Sequence, residues 1–185
     1  TTPEHDVTMY KSLFSDPALC PDMVKIYPNT VIESAELYAW FKEGRYKSYG
    51  EKALFAALLA MKKATPRYCR ISRLIRDIPS NEIRDGNSIT NLRESLTKEL
   101  HNTNARCVCL RCREISRQQD NIPKNTIPQL FVDTYSTVGG TEYFITLEDP
   151  KRIAVYGFLR LRIPHNIGKK EKEQHVWLSK AHCKD

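Results

Sequence analysis

Apolar positions in the first hundred residues recur mainly at helical spacing. Trp40 and Phe41 stand three and four residues after Leu37, and Gly44 is placed to end a helix over 34–43. Leu54, Leu58 and Met61 form the stripe of a stronger helix from Glu51 to Ala64, whose last turn carries Lys62 and Lys63, complementing the negative end of the helix dipole. Leu92, Leu96 and Leu100 make the apolar row of a third helix over 88–100. Pro3, in the first turn of Thr1-Thr-Pro-Glu4, signals a further helix start. Between the helices lie short strand-like runs: Met23 to Tyr27, stopped by Pro28, then Thr30 to Ile32, then Tyr68 to Ile75, closed by Arg76-Asp-Ile-Pro79 and a loop over 80–87. Strand, helix, helix, strand, helix is an α/β succession with parallel-sheet spacing. Two or three strands cannot close a sheet, so this half reads as the last part of a larger α/β barrel.

Beyond residue 115 the pattern changes. Residues 116–129 are polar and punctuated by proline, which suits a linker. Three β-like runs follow, Leu130 to Thr134, Glu142 to Leu147 and Ile153 to Arg162, with turns at Val138-Gly-Gly140 and Asp149-Pro150. These predict an antiparallel meander, so the chain holds parts of two domains joined by the segment between them. Alternation along 68–75 puts Arg70 and Arg76 on the polar side with Ser72, and turns Ile71 and Ile75 inward. The same alternation turns Arg73 inward, where it needs a buried partner.

Composition adds a direction to this picture. The apolar share of 41% makes the chain globular, and a net charge of +7 favours a polyanionic partner: RNA, DNA or an anionic membrane. The sequence has neither an apolar run of bilayer length nor a signal-peptide pattern, which points to the cytosol. In that compartment the six cysteines read as thiols or metal ligands rather than a disulfide framework. Three of them stand in Cys107-Val-Cys109-Leu-Arg-Cys112, flanked by Arg106, Arg113 and Arg117. Thiolates at C-x-C-x-x-C spacing suit a soft cation such as zinc, with three reduced thiols as the alternative. Tyr46, Lys47 and Tyr49 form an aromatic-basic loop, suited to stacking on a base or to packing of the tyrosines on Trp40.

Read in order, Lys25-Ile-Tyr-Pro28, Gly44-Arg-Tyr-Lys-Ser-Tyr49, Arg76-Asp-Ile-Pro79, Asn91-Leu-Arg-Glu94, Cys107 through Arg113-Glu-Ile115, Gly139-Gly-Thr-Glu142 with Glu148-Asp-Pro150, and Gly157-Phe-Leu-Arg-Leu-Arg162 form a specific set. The chain resembles the catalytic-subunit family of Elongator, the radical-SAM and GNAT-type tRNA uridine acetyltransferases, over residues 1–164. The resemblance implies a fold of three parts: the C-terminal part of a radical-SAM α/β barrel (1–105), a cysteine-rich linker (106–129) and the first antiparallel strands of an acetyltransferase domain (130–185). It implies an enzyme family that modifies the tRNA wobble uridine with acetyl-CoA and S-adenosylmethionine, using a 4Fe–4S cluster. Partners implied are tRNA and either Elongator-type proteins or a second copy of the chain, in the cytoplasm and away from membranes.

The same resemblance implies structural zinc on Cys107, Cys109 and Cys112. For the fourth ligand, Asn29 stands where some members carry cysteine, and His101 and Cys69 are substitutes. Arg70, Arg76, Arg106, Arg111 and Arg113, with Lys47, become a tRNA-binding set, against the alternative of a solvated strand face. The family's cluster cysteines precede the part of the barrel seen here. The acetyl-CoA loop is degraded: in Gln174-His-Val-Trp-Leu-Ser179, Gln174 and His175 remain, while Trp177 and Ser179 stand where glycines would admit a pyrophosphate. The expectation is a truncated member, inactive alone. The alternatives are a non-catalytic tRNA-binding or Elongator-type interaction module, and a decayed reading frame.

Overall fold

The helical stripes become buried faces, and the strand-like runs become three small sheets. The computed structural model describes residues 2–76, 78–87, 89, 91–165 and 177–179. In chain order the elements are α1 (Pro3–Ser15), β1 (Met23–Lys25), β2 (Thr30–Ile32), α2 (Glu36–Lys42), α3 (Glu51–Ala64), β3 (Arg70–Arg73), β4 (Ile83–Gly86), α4 (Leu92–Asn102), α5 (Ile115–Gln118), β5 (Gln129–Thr137), β6 (Gly140–Glu148), β7 (Val155–Pro164) and β8 (Trp177–Ser179). This is the mixed helix-and-sheet class expected. Two compact units result: one contains Thr1–Ser12, Met23–Thr65 and Ile71–Cys107, the other Leu13–Asp22, Pro66–Arg70 and Val108–Asp185.

In the first unit, α4 buries Leu92, Leu96 and Leu100, and α3 buries Ala57, Leu58, Met61 and Lys62. Lys62 lies with Lys63 in the last turn of α3, as the sequence placed it. It is fully buried, because the covered face of α3 takes i, i+1, i+4 and i+5 from Ala57, which includes residue 62. Tyr10 of α1 is also buried, its hydroxyl 2.9 Å from that of Thr65, which in turn donates to the Met61 carbonyl at 2.8 Å. β1 pairs with β3. Arg70 N–H donates to Asp22 O and Ile26 N–H to Arg73 O, so both partners advance together and the pair is parallel.

Two details of this unit correct the sequence reading. β2 pairs antiparallel with β4, with Thr30 opposite Gly86, so the expected loop over 80–87 contains a strand. Its sequence, Ile83-Arg-Asp-Gly86, carries one large apolar residue, so no alternation marks it. Gly86 has φ of 98°, and a Cβ there would lie 2.5 Å from the Asn29 carbonyl oxygen, so the pairing requires glycine. Arg73 is exposed rather than inward-facing, because β3 ends there and the following bend delivers Leu74 to the core instead.

In the second unit β5, β6, β7 and β8 form one antiparallel sheet in sequence order, as the meander predicts, with Leu130 opposite Leu147 and Leu147 opposite Gly157. Its buried side holds Phe144, Thr146 and Glu148, alternate residues of β6. β8 pairs Trp177, Leu178 and Ser179 with Arg162, Leu161 and Arg160. The stretch read as the remnant of a pyrophosphate loop therefore ends in a paired strand. The preceding Gln174 and His175 lie outside the described residues.

Replacing Leu96 by alanine removes a side chain with no exposure and is expected to lower stability by about 2–5 kcal/mol in urea unfolding. Leu130→Ala, at a position 68% exposed, is expected to stay within about 0.5 kcal/mol of the parent. A Leu96→Ala protein as stable as the parent would contradict the assignment of α4 to the core.

Candidate metal centre and the charges around it

The Sγ atoms of Cys107, Cys109 and Cys112 all lie within 4.8 Å of one another. The stretch has little regular structure. Cys109 precedes a tight 3-10 turn over Leu110–Arg113, closed by Cys112 N–H donating to the Cys109 carbonyl at 3.0 Å. That turn brings the third thiol back over the first two. Tetrahedral coordination at a Zn–S length of about 2.3 Å needs sulfurs roughly 3.8 Å apart, so the triad fits one ion after a small contraction. Cys107 and Cys109 are buried and Cys112 is partly open, which keeps an approach for a fourth donor.

Of the substitutes considered for that donor, Cys69 is buried, and its carbonyl accepts Leu110 N–H at 2.9 Å. Burial, reinforced by the neighbouring Cys109, pushes the Cys69 thiol up to about 12, so without a metal it stays protonated. His101 is exposed, in the last turn of α4, and Asn29 immediately precedes β2.

The turn is tied to a buried charge cluster. Glu148, at the end of β6, is fully buried. It accepts the Thr146 hydroxyl at 2.6 Å and Arg152 Nε at 3.1 Å, and pairs with Arg113 Nη1 at 2.7 Å. Arg67 approaches at 3.7 Å, and Arg152 also forks onto Asp133 at 2.5 and 3.1 Å. Burial alone would raise the Glu148 pKa. Hydrogen bonds from Arg152 and Thr146, with the Arg113 guanidinium paired beside it, outweigh it and hold the carboxyl below the usual range. Burial, then Arg113 and Arg152, depress the Arg67 guanidinium.

This cluster overturns one part of the basic set. Arg113 is only 3% exposed. Its Nε donates to the Val108 carbonyl at 2.8 Å and its Nη2 to the Arg67 carbonyl at 2.9 Å. With Glu148 on the third nitrogen, it has nothing to offer a phosphate. Spacing made it look like its neighbours, because a buried arginine and a surface one read alike in sequence. Arg70 is half-buried and ion-paired to Glu114, which also binds Arg117. Arg76, Arg106 and Lys47 are exposed, and Arg111 is half-buried. Arg111 Nε is enclosed without a hydrogen-bond partner among the described residues.

A cavity of about 390 Å³ in the first unit was not foreseen as a site. Its lining includes Tyr27, Tyr46, Tyr49, Lys47, Asp6 and Asn87. Tyr49 donates to the Asp6 carboxylate at 2.9 Å, and Ser48 donates to Asp85 at 2.6 Å, holding that carboxyl below its usual range. The Trp40 ring takes the Arg45 guanidinium, 5.3 Å from its centre. Asn87 Oδ1 is enclosed without a partner among the described residues. The tyrosines were legible in sequence as an aromatic loop, but Asn87 was not, because only the chain path of β4 brings it there.

Residues 21–102 match the Radical_SAM C-terminal domain. A tRNA uridine(34) acetyltransferase of Methanocaldococcus infernus is 38% identical over 178 residues, covering 95% of this chain and 33% of its own. Elongator complex protein 3 of Schizosaccharomyces pombe is 35% identical, covering 86% of this chain and 29% of its own. The solved structure of the archaeal Methanocaldococcus infernus Elp3 with an N-terminal deletion superposes with a TM-score of 0.88 at 36% identity, over 99% of this chain and 44% of that one. Over most of its length the chain is thus similar to proteins named tRNA uridine(34) acetyltransferase and Elongator complex protein 3, in line with its motifs. It spans about one third of the length of the curated relatives it matches.

A carboxylate with a depressed pKa stabilises the fold fully above its unfolded value and loses that contribution as pH falls through its folded value. Glu148 and Glu114 both carry that sign. Thermal stability is therefore expected to fall as pH drops below about 4.3, the ordinary glutamate value. Glu148→Gln is expected to cost about 3–5 kcal/mol at pH 7, because it strands buried arginines, and to flatten the acid limb. Melts recorded between neutral and acid pH check both, and a variant that melts with the parent at pH 7 would contradict the buried pair.

Proposed function

We propose that this chain serves tRNA wobble-uridine modification of the acetyltransferase type, contributing barrel, linker and acetyltransferase-like segments within the bounds 1–105, 106–129 and 130–185. The observation that carries the reading is the match along 95% of the chain to a tRNA uridine(34) acetyltransferase. The cavity lined by Tyr27, Tyr46 and Tyr49 supports it: aromatic faces stack an unpaired base, Lys47 meets a phosphate, and the enclosed Asn87 Oδ1 accepts the imide N–H of a uracil. When bound in the full-length relatives, the 4Fe–4S cluster with S-adenosylmethionine supplies radical chemistry and acetyl-CoA the acyl carbon. The residues of this chain bind and orient RNA and stiffen the linker.

On this reading Cys107, Cys109 and Cys112 hold one structural zinc, supported by their mutual approach within 4.8 Å. Elongator-type proteins or a second copy would join it, in the cytoplasm. No described helix is long and apolar enough to cross a membrane. A second reading, a tRNA-binding or Elongator-type interaction module without turnover, is favoured by the strand pairing of Trp177 to Ser179, where an acetyl-CoA loop would need glycines.

Protein purified under reducing conditions without added metal is expected to carry about one zinc per chain, lost in Cys109→Ser. Elemental analysis checks this, and a zinc content near zero in the parent would contradict it. Affinity for tRNA is expected to fall with salt at a log–log slope of about −2 or steeper, shallowed by about one to two units in Arg76→Ala with Arg106→Ala. Asn87→Ala is expected to weaken binding with the slope retained. Salt-independent binding would leave these arginines as a solvated surface.

A further inference from the structure

We propose that Arg113 and Glu148 are positioning residues for the metal loop, setting the spacing of its thiols and through it the affinity for the ion. The inference rests on the zinc reading above and adds two residues that ligate nothing themselves.

Three anchors hold the backbone of the loop. Arg113 Nε reaches back across the turn to the carbonyl of Val108, the residue between Cys107 and Cys109. Gln118 Nε2 donates to the carbonyl of Cys112 at 2.7 Å. Leu110 N–H, between Cys109 and Cys112, donates to the Cys69 carbonyl. Every thiol of the triad therefore has a fixed peptide group beside it. The remaining nitrogens of Arg113 go to the Arg67 carbonyl and to Glu148, so its guanidinium has one orientation. Glu148 cannot turn away in response, because Thr146 and Arg152 occupy its other lone pairs.

A six-residue stretch whose own regular hydrogen bonding is one short turn would otherwise sample many thiol spacings, and binding an ion would bear the cost of ordering it. The clamp removes that cost in advance. It also explains why an arginine, not a lysine, stands at 113. Three partners lie in three directions around one planar group, and an ammonium on a flexible stem cannot hold all of them. The arrangement parallels the outer hydrogen bonds that orient metal ligands elsewhere, whose loss typically weakens affinity about 10–100-fold.

The test is chelator competition for zinc on the full 185-residue chain, with the cobalt(II) spectrum of each protein recorded below its unfolding temperature. Arg113→Lys and Glu148→Gln are expected to weaken zinc affinity about 10–100-fold, while the sulfur-to-cobalt absorption shows that thiolates still ligate. Leu96→Ala, a destabilised control on the buried face of α4, is expected to keep the parent affinity. If both charge variants fail to fold, Gln118→Ala decides the matter, with a severalfold loss expected. A parent that binds no zinc defeats the metal reading itself. A parent that binds, with the folded variants within about threefold of it and so below the outer-partner range, overturns the clamp alone. An equal loss in Leu96→Ala would reduce the effect to general destabilisation and also overturn it.

Discussion

A carboxylate with no exposure at the end of β6 is the constraint on which the second unit depends. Glu148 faces the buried side of the sheet beside Phe144 and Thr146, where an unpaired charge would be prohibitive. Arg113, Arg152 and Arg67 converge on it, and Asp133 balances the arginine excess through Arg152. Such a cluster adds little net stability over a well-packed apolar core, but losing one member leaves the rest uncompensated. Its members come from β5, β6, the turn after β6, the cysteine loop and the segment before β3. A single buried charge thus fixes the register of strands and the path of two loops together.

The loop it fixes carries the thiols. Without the cluster, the C-x-C-x-x-C stretch would be a short irregular connection between a helical unit and a sheet. With it, the carbonyl of Val108 is held and three sulfurs lie close enough for one ion. The loop sits where the radical-SAM C-terminal match has ended and the sheet has not begun. On the zinc reading, a metal there would stiffen a connection instead of performing chemistry; among the described residues the cluster is three cysteines, two of them buried. The cavity of the first unit is lined instead by tyrosines and the enclosed Asn87 amide.

Much of this was legible in the residues. The stripe Leu92, Leu96 and Leu100 gave α4, the run Glu51 to Ala64 gave α3, and the glycine pair at 139–140 placed the first hairpin of the sheet. The cysteine triad and the family motifs were visible as written. What failed were positions decided by tertiary partners. β4 is held by backbone pairing to β2, and no side-chain pattern announces that. Arg113 sits in a basic run and serves a carboxylate 35 residues later in the chain. Arg73 was assigned by an alternation that ends with the strand. In each case the local rule was sound, and a longer-range constraint decided the outcome.

The central claim is that a thiol triad, preset by a buried ion pair, holds one metal ion. X-ray absorption at the zinc edge, on chain purified under reducing conditions, tests it most directly. The account predicts a first shell dominated by sulfur at about 2.3 Å, with three sulfurs per zinc and no metal neighbour. A shell of nitrogen and oxygen only, or a short metal–metal distance indicating an iron–sulfur cluster in its place, would contradict it.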